Sequence, residues 1–198
     1  IGIGVIGWGF MGRTHTFSIK TMPLHYNLDF EPRLIGICSR RLEKAEQAAR
    51  EQGFKYATDD YHKLLADPEI DVVSICTPNN LHEQMALDAI AAGKNVYIDK
   101  PLSINYESAR RIADAARAAG VKAQLALNNR FFPSTMLAHE LVTSGKLGRV
   151  TSFSAEYLHS GSVDPDRPIG WKQDYDACGG GVLLDLGSHA LDLVIWMC

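Results

Sequence analysis

Three groups of residues in this chain have the types and spacing that chemistry needs. The first is Gly7-Trp-Gly9-Phe10-Met11-Gly12, a G-x-G-x-x-G spacing preceded by the apolar run Ile3 to Ile6. In a dinucleotide site the first glycine permits the tight turn, the second lets a pyrophosphate approach the backbone, and the third lets the helix pack on the strand. The phosphates then lie at a helix N-terminus, where unpaired N–H groups and the helix dipole favour negative charge. The second group is Asp99-Lys100-Pro101, after another apolar run. A lysine there sits near a nicotinamide ring. As a neutral amine it can act as a base, and as an ammonium it can polarise a carbonyl. The third group is Asp185 and His189, at i and i+4, with Ser188 and Asp192 on the same helical face of an otherwise apolar or small-residue stretch from Val182 to Met197. A polar stripe on a helix buried nearly all round must face a partner, water or a ligand.

The elements that position these groups alternate along the chain. Strands are expected at Ile3–Ile6, Arg33–Cys38, Asp71–Thr77, Asn95–Ile98 and Val121–Leu127. Helices are expected at Met11 to about Thr21, Arg41–Gln52 (with Gly53 as its C′ residue), Asp60–Ala66, Asn80 to about Ala92, and Asn105–Ala119. Asn80-Leu-His-Glu83 reads as a capping box. The β-α-β-α rhythm predicts a doubly wound parallel sheet, an α/β fold whose ligands bind beyond the carboxyl ends of the strands. The candidate cofactor contacts follow strands directly: Gly7 to Gly12, Ser39-Arg40-Arg41, Thr77-Pro78-Asn79-Asn80, Asp99-Lys100, and Asn128 to Arg130. After Leu127 the pattern changes, which predicts two domains, 1–127 and 128–198. In the second, a helix is expected over Phe132–Ser144 and a strand over Val150–Leu158, followed by a loop to Gly181 and the helix that carries Asp185 and His189.

The position after the second strand usually carries an acidic residue that grips the ribose 2′-hydroxyl of NAD. Here Ser39, Arg40 and Arg41 stand instead. Arginine binds phosphate through a fixed fork of donors, so the expected cofactor is NADP in preference to NAD. The competing reading is a solvated first helical turn.

These stretches together resemble the Gfo/Idh/MocA family (glucose-fructose oxidoreductase, inositol dehydrogenase, rhizopine catabolism). The matching residues are Gly7 to Gly12, Thr77-Pro-Asn-Asn-Leu-His-Glu83, Asp99-Lys-Pro101, Asn129-Arg-Phe131 and Gly179-Gly-Gly-Val-Leu-Leu-Asp-Leu-Gly-Ser-His189. The resemblance implies a Rossmann domain followed by the start of an α+β domain with an open antiparallel sheet. It implies NAD(P)-dependent hydride transfer at a hydroxyl or ketone carbon of a sugar, cyclitol or related polyol. It makes Lys100, Asp185 and His189 catalytic and has Thr77 to Asn80 and His82 line the cofactor. Asp99 departs from the glutamate usual before the lysine. The alternative is a non-catalytic sugar- or nucleotide-sensing regulator, against which the presence of both Lys100 and His189 weighs.

Composition narrows the partners. The 198 residues carry a net charge of −3, which gives no basic field for nucleic acid. No apolar run in the sequence reaches the ~20 residues that span a bilayer, so no membrane is expected. The four cysteines, Cys38, Cys76, Cys178 and Cys198, are scattered without a C-x-x-C pair. That predicts neither disulfide nor metal, and a reducing, cytoplasmic setting. The apolar end Leu193–Cys198 leads to the expectation of further strands beyond it. A homo-oligomer formed through the second domain is also expected.

Overall fold

The computed structural model describes residues 1–161, 163–166 and 168–198. They divide into two compact units, Ile1–Leu125 and Ala126–Cys198.

The first unit is a six-stranded parallel sheet in the order β3-β2-β1-β4-β5-β6. Its strands are β1 (Gly2–Ile6), β2 (Arg33–Cys38), β3 (Tyr56–Thr58), β4 (Val72–Ile75), β5 (Asn95–Ile98) and β6 (Ala123–Leu125). The helices are α1 (Phe10–His25), α2 (Leu42–Gln52), α3 (Tyr61–Ala66), α4 (His82–Ala91) and α5 (Tyr106–Ala119). Every residue of β1 is buried, as a strand covered on both faces requires. Its side chains alternate between two cores. Ile3 and Val5 join Ile37, Ala45, Ala48 and Phe54, while Ile6 joins Ile35, Leu64, Val73, Ile75, Ile90, Ile98 and Ile112. Each fully buried Val, Leu or Ile side chain among these is worth roughly 1.5–3 kcal/mol.

The doubly wound Rossmann sheet is as the alternation predicts, with three local differences. The short edge strand β3 gives no periodic signal of its own, and it forms by pairing Gly36, Ile37 and Cys38 with Tyr56, Ala57 and Thr58. Helix α1 runs through Pro23 to His25. The capping box at Asn80 does not form. Asn79–Leu81 makes a 3-10 turn, Leu81 occupies the N-cap of α4 without a side-chain bond, and Glu83 instead accepts from Ser108 Oγ at 2.6 Å and pairs with Arg111.

The second unit contains α6 (Pro133–Thr143), α7 (Tyr175–Cys178), a π-type turn over Leu183–Gly187, and α8 (Ser188–Met197). The strand expected over Val150–Leu158 is not formed, and no antiparallel ladder occurs among the described residues. A strand exists only through its ladder, and the described residues supply no neighbour to pair with.

One expectation about the last helix also changes. It is not buried all round: Leu183, Leu191 and Ile195 are exposed, while His189 is buried. Tyr175–Met197, through α7, the π-type turn and α8, holds an 18-residue window of mean hydropathy 1.3, long and apolar enough by length and composition alone to cross a membrane. A core helix of a soluble protein passes the same test. Asp185 and Asp192 on this stretch are both ion-paired within the unit.

Candidate functional site

In the first unit the candidate residues gather at the carboxyl ends of β1, β2, β4 and β5. Backbone bonds extend the ladders just past the strands and hold this edge level. Gly7 N–H donates to Cys38 O at 2.8 Å, Cys76 N–H to Ile6 O at 2.8 Å, and Asp99 N–H to Ile75 O at 2.9 Å. The central strand β1 has β2 on one side and β4 on the other, so this edge is the topological switch point, where open α/β sheets bind ligands.

The glycine loop fits a dinucleotide on three observations. Gly7 has φ +100°, and a Cβ there would lie 2.5 Å from Cys76 O. A Cβ on Gly12 would lie 2.0 Å from Gly7 O, so α1 packs against the turn at a distance only glycine allows. At Gly9 an added Cβ meets nothing within 4 Å, so this backbone faces open space. Gly9 is also the N-cap of α1, makes no side-chain cap, and no acidic residue occupies the first turn. The first N–H groups of the helix therefore remain available to an anion. Phe10 and Met11 occupy that turn, with Phe10 strongly exposed.

Beneath the loop lies a buried polar cluster that no sequence motif marks. His15 Nδ1 sits 2.9 Å from Ser74 Oγ and 3.2 Å from Cys76 Sγ. Burial pushes the Cys76 thiol up to about 12, so it is an inert group. Burial also lowers the His15 imidazole, against the opposing charge of Asp99.

The remaining first-unit residues separate into two kinds. Asn80, Arg40 and Arg41 are exposed, and Ser39, Thr77, Pro78 and Lys100 are half-buried. Asn79, His82 and Asp99 are buried. Asp99 Oδ1 accepts the N–H of Lys100 at 2.9 Å, so the shorter carboxylate is turned onto its own backbone. His82 corrects its assignment as a cofactor contact. It is fully buried, with Nε2 2.9 Å from Thr77 O and Nδ1 2.9 Å from Pro101 O. Its ring ties the ends of β4 and β5 together and presents no face to a ligand. Burial is the main cause that lowers its pKa, while the carbonyls oppose the shift.

In the second unit Asn128 is exposed and opens a 3-10 turn, Asn128–Phe131. Arg130 was expected at the cofactor, but its guanidinium is spent inside the unit. Nε donates to Asp192 Oδ2 at 2.7 Å and Nη2 donates to Asp192 Oδ1. The same guanidinium lies 5.8 Å from the centre of the Trp196 ring, which stacks on His139 with centroids 4.0 Å apart. The polar stripe on the last helix is thus divided among separate partners. Ser188 Oγ donates to Leu184 O at 2.7 Å, and the rings of His189 and Tyr157 meet edge-on at 5.7 Å. Asp185 receives Lys172 Nζ at 2.9 Å on each carboxylate oxygen. Lys172, on the 3-10 turn Trp171–Gln173, is a residue that sequence spacing missed, because only the fold brings it to Asp185. The π-type turn that carries Asp185 is a feature that recurs at functional sites. No three metal-ligating side chains cluster among the described residues.

The profile described as "Oxidoreductase family, NAD-binding Rossmann fold" matches residues 1–127, and that described as "GFO/IDH/MocA C-terminal domain" matches residues 135–198. Among curated proteins the chain is similar to levoglucosan dehydrogenase of Pseudarthrobacter phenanthrenivorans, 34% identical over 100% of the chain and 51% of that protein. It is also similar to D-glucoside 3-dehydrogenase of Escherichia coli, 33% identical over 83% of the chain and 46% of that protein. Among solved structures, levoglucosan dehydrogenase in complex with NADH and levoglucosan aligns with a TM-score of 0.97 at 34% identity, over 100% of the chain and 54% of that structure. The chain spans about half the length of the curated relatives it matches.

Proposed function

Because this chain belongs to the Gfo/Idh/MocA family of NAD-binding oxidoreductases, we propose that its protein transfers a hydride between a nicotinamide cofactor and a hydroxyl or ketone carbon of a sugar, cyclitol or related polyol. The observation that carries this reading is the glycine loop. Its turn and its helix packing require glycine at 7 and 12, and its middle glycine opens onto free space at the N-terminus of α1. Names of relatives support the substrate class, since those proteins act on levoglucosan and D-glucosides.

In this proposal the nicotinamide supplies the redox chemistry, and the residues of the chain supply placement and the proton. Lys100, at the end of β5, donates a hydrogen bond to the reacting oxygen and polarises it. His189 gives or takes the hydroxyl proton. Asp185 accepts a hydrogen bond from the substrate. Gly7, Gly9, Phe10, Met11 and Gly12 hold the pyrophosphate end, with Thr77, Pro78, Asn79, Asn80, Asp99 and Asn128 along the cofactor. His82 and Arg130 contribute by fixing the backbone around them.

The finer reading is a preference for NADP, supported by the absence of a carboxylate at Ser39-Arg40-Arg41 and the exposure of both arginines. A homo-oligomer formed through the second unit and a cytoplasmic location complete the proposal. The exposed Leu183, Leu191 and Ile195 support the first, and the scattered cysteines without a C-x-x-C pair support the second.

The test is turnover by the full-length protein of levoglucosan, methyl glucoside and inositol, with NADP and with NAD, followed by the absorbance of the reduced nicotinamide. Reduction of cofactor that depends on one of these polyols is the expected result. Cofactor binding with no turnover of any polyol would instead support a sensing role.

A further inference from the structure

The pairing of Lys172 with Asp185 puts a cation beside the carboxylate that the proposed reaction uses. Lys172 Nζ lies 2.9 Å from both oxygens of Asp185. An ammonium has three N–H donors, so this contact leaves Lys172 capacity for a ligand. Their side chains are 51% and 28% exposed, so a solute can reach them. Trp171, the neighbouring residue, is partly exposed, and its ring centre lies 6.0 Å from the same ammonium. Asp185 precedes His189 by one helical turn.

A donor and an acceptor held side by side match a particular ligand geometry. Two hydroxyls on adjacent carbons present one O–H to a carboxylate and one oxygen lone pair to an ammonium. An aromatic face beside them suits the C–H surface of a ring that bears such hydroxyls. The Asp185 end of the pair belongs to the proposed reaction. The Lys172 end has no assigned role, and its sequence position, on a turn preceding the glycine-rich Gly179–Gly181, carries no motif for proton transfer or cofactor binding.

We propose that Lys172 is a specificity-determining residue. Its ammonium, held by Asp185, donates to the oxygen on the carbon next to the reacting one, and the pair thereby selects substrates with a vicinal diol. This inference rests on the polyol reading above. It predicts discrimination against deoxy analogues, because a substrate lacking the neighbouring hydroxyl leaves the ammonium without its partner.

The test compares kcat/KM of full-length wild-type protein, Lys172→Met and Lys172→Arg. The substrates are levoglucosan, methyl glucoside, and the 2-deoxy and 4-deoxy forms of methyl glucoside, with NADH affinity measured in parallel. A hydrogen bond to a charged group sets the expected size of the effect. Lys172→Met loses about tenfold to a hundredfold on the diol substrates and less than about threefold on the deoxy form that lacks the recognised hydroxyl. Lys172→Arg retains the discrimination, and NADH affinity is unchanged in all three. Equal losses on the diol and both deoxy substrates would overturn this inference alone, because Lys172 would then act only by holding Asp185. A wild-type protein that binds NADH and turns over none of the four would overturn the polyol reading and this inference with it. Lys172 is half-exposed, and a melting temperature within about 2 °C of wild type is expected for both variants.

Discussion

Arg130 meets both carboxylate oxygens of Asp192 through Nε and Nη2, and so ties the turn at Asn128–Phe131 to the helix that carries His189 three residues earlier. The Asp192 side chain is only 10% exposed. Arg130→Met therefore strands a largely buried carboxylate. A loss of about 1–3 kcal/mol in stability is expected, read as a lower melting temperature. The double variant Arg130→Met/Asp192→Leu removes both charges and is expected to recover most of it. A double variant less stable than the single would show that the pair itself, rather than the stranded charge, accounts for the loss.

Acid sensitivity follows from His15 and His82. Burial, the larger cause in each, lowers both below the ordinary 6.5. The unfolded chain then takes up protons near pH 6.5 that the native chain resists. Stability is constant in this respect above about pH 7 and falls as pH drops below 6.5. Melting temperatures measured between about pH 5 and 8 check this. His82→Gln removes one titrating group while keeping a side chain able to donate to one carbonyl, so its curve is expected to slope less. A slope in His82→Gln equal to wild type would exclude His82 as a source.

Gly9 and Gly12 separate binding from folding. Gly9 has φ −89° and free space beyond its Cα, so Gly9→Val is expected to melt close to wild type. Its side chain would fill the place of the pyrophosphate and weaken NADH binding at least about tenfold. Gly12→Val drives a side chain into the Gly7 carbonyl and is expected to cost about 1–3 kcal/mol of stability or more. Calorimetry with both variants would show the contrast, and normal NADH affinity in Gly9→Val would mean the loop is no phosphate site.

Cofactor preference turns on the residues after β2. If Arg40 or Arg41 contacts a 2′-phosphate, NADP binds about tenfold to a hundredfold tighter than NAD, the size of one charge-assisted bond. Ser39→Asp with Arg40→Ala should reverse the order. Tighter NAD in wild type would mean the arginines serve only the exposed first turn of α2.

What could be read in the sequence is what local rules determine. The strand–glycine–helix edge is legible because Gly7 and Gly12 answer to backbone geometry, and the sheet is legible because β1, β2 and β4 are short apolar runs between helices. Four things escaped for a common reason, which is that they depend on neighbours distant in sequence. Strand β3 exists through β2, and the stretch 150–158 stays irregular because nothing described pairs with it. The polar residues of the last helix share a face by counting, yet Asp185 turns to Lys172 and Asp192 to Arg130. His82 has the spacing of a cofactor contact and the burial of a strut.

The proposed dehydrogenase chemistry stands on Lys100 and His189, and the most direct measurement is turnover per folded molecule in Lys100→Ala and His189→Ala. Loss of an acid–base or polarising group costs about 10²–10⁴ in rate, so each variant is expected to lose that much kcat while binding NADH or NADPH within a few fold of wild type. Near wild-type kcat in well-folded His189→Ala would contradict the assignment and leave a binding or sensing role for the fold.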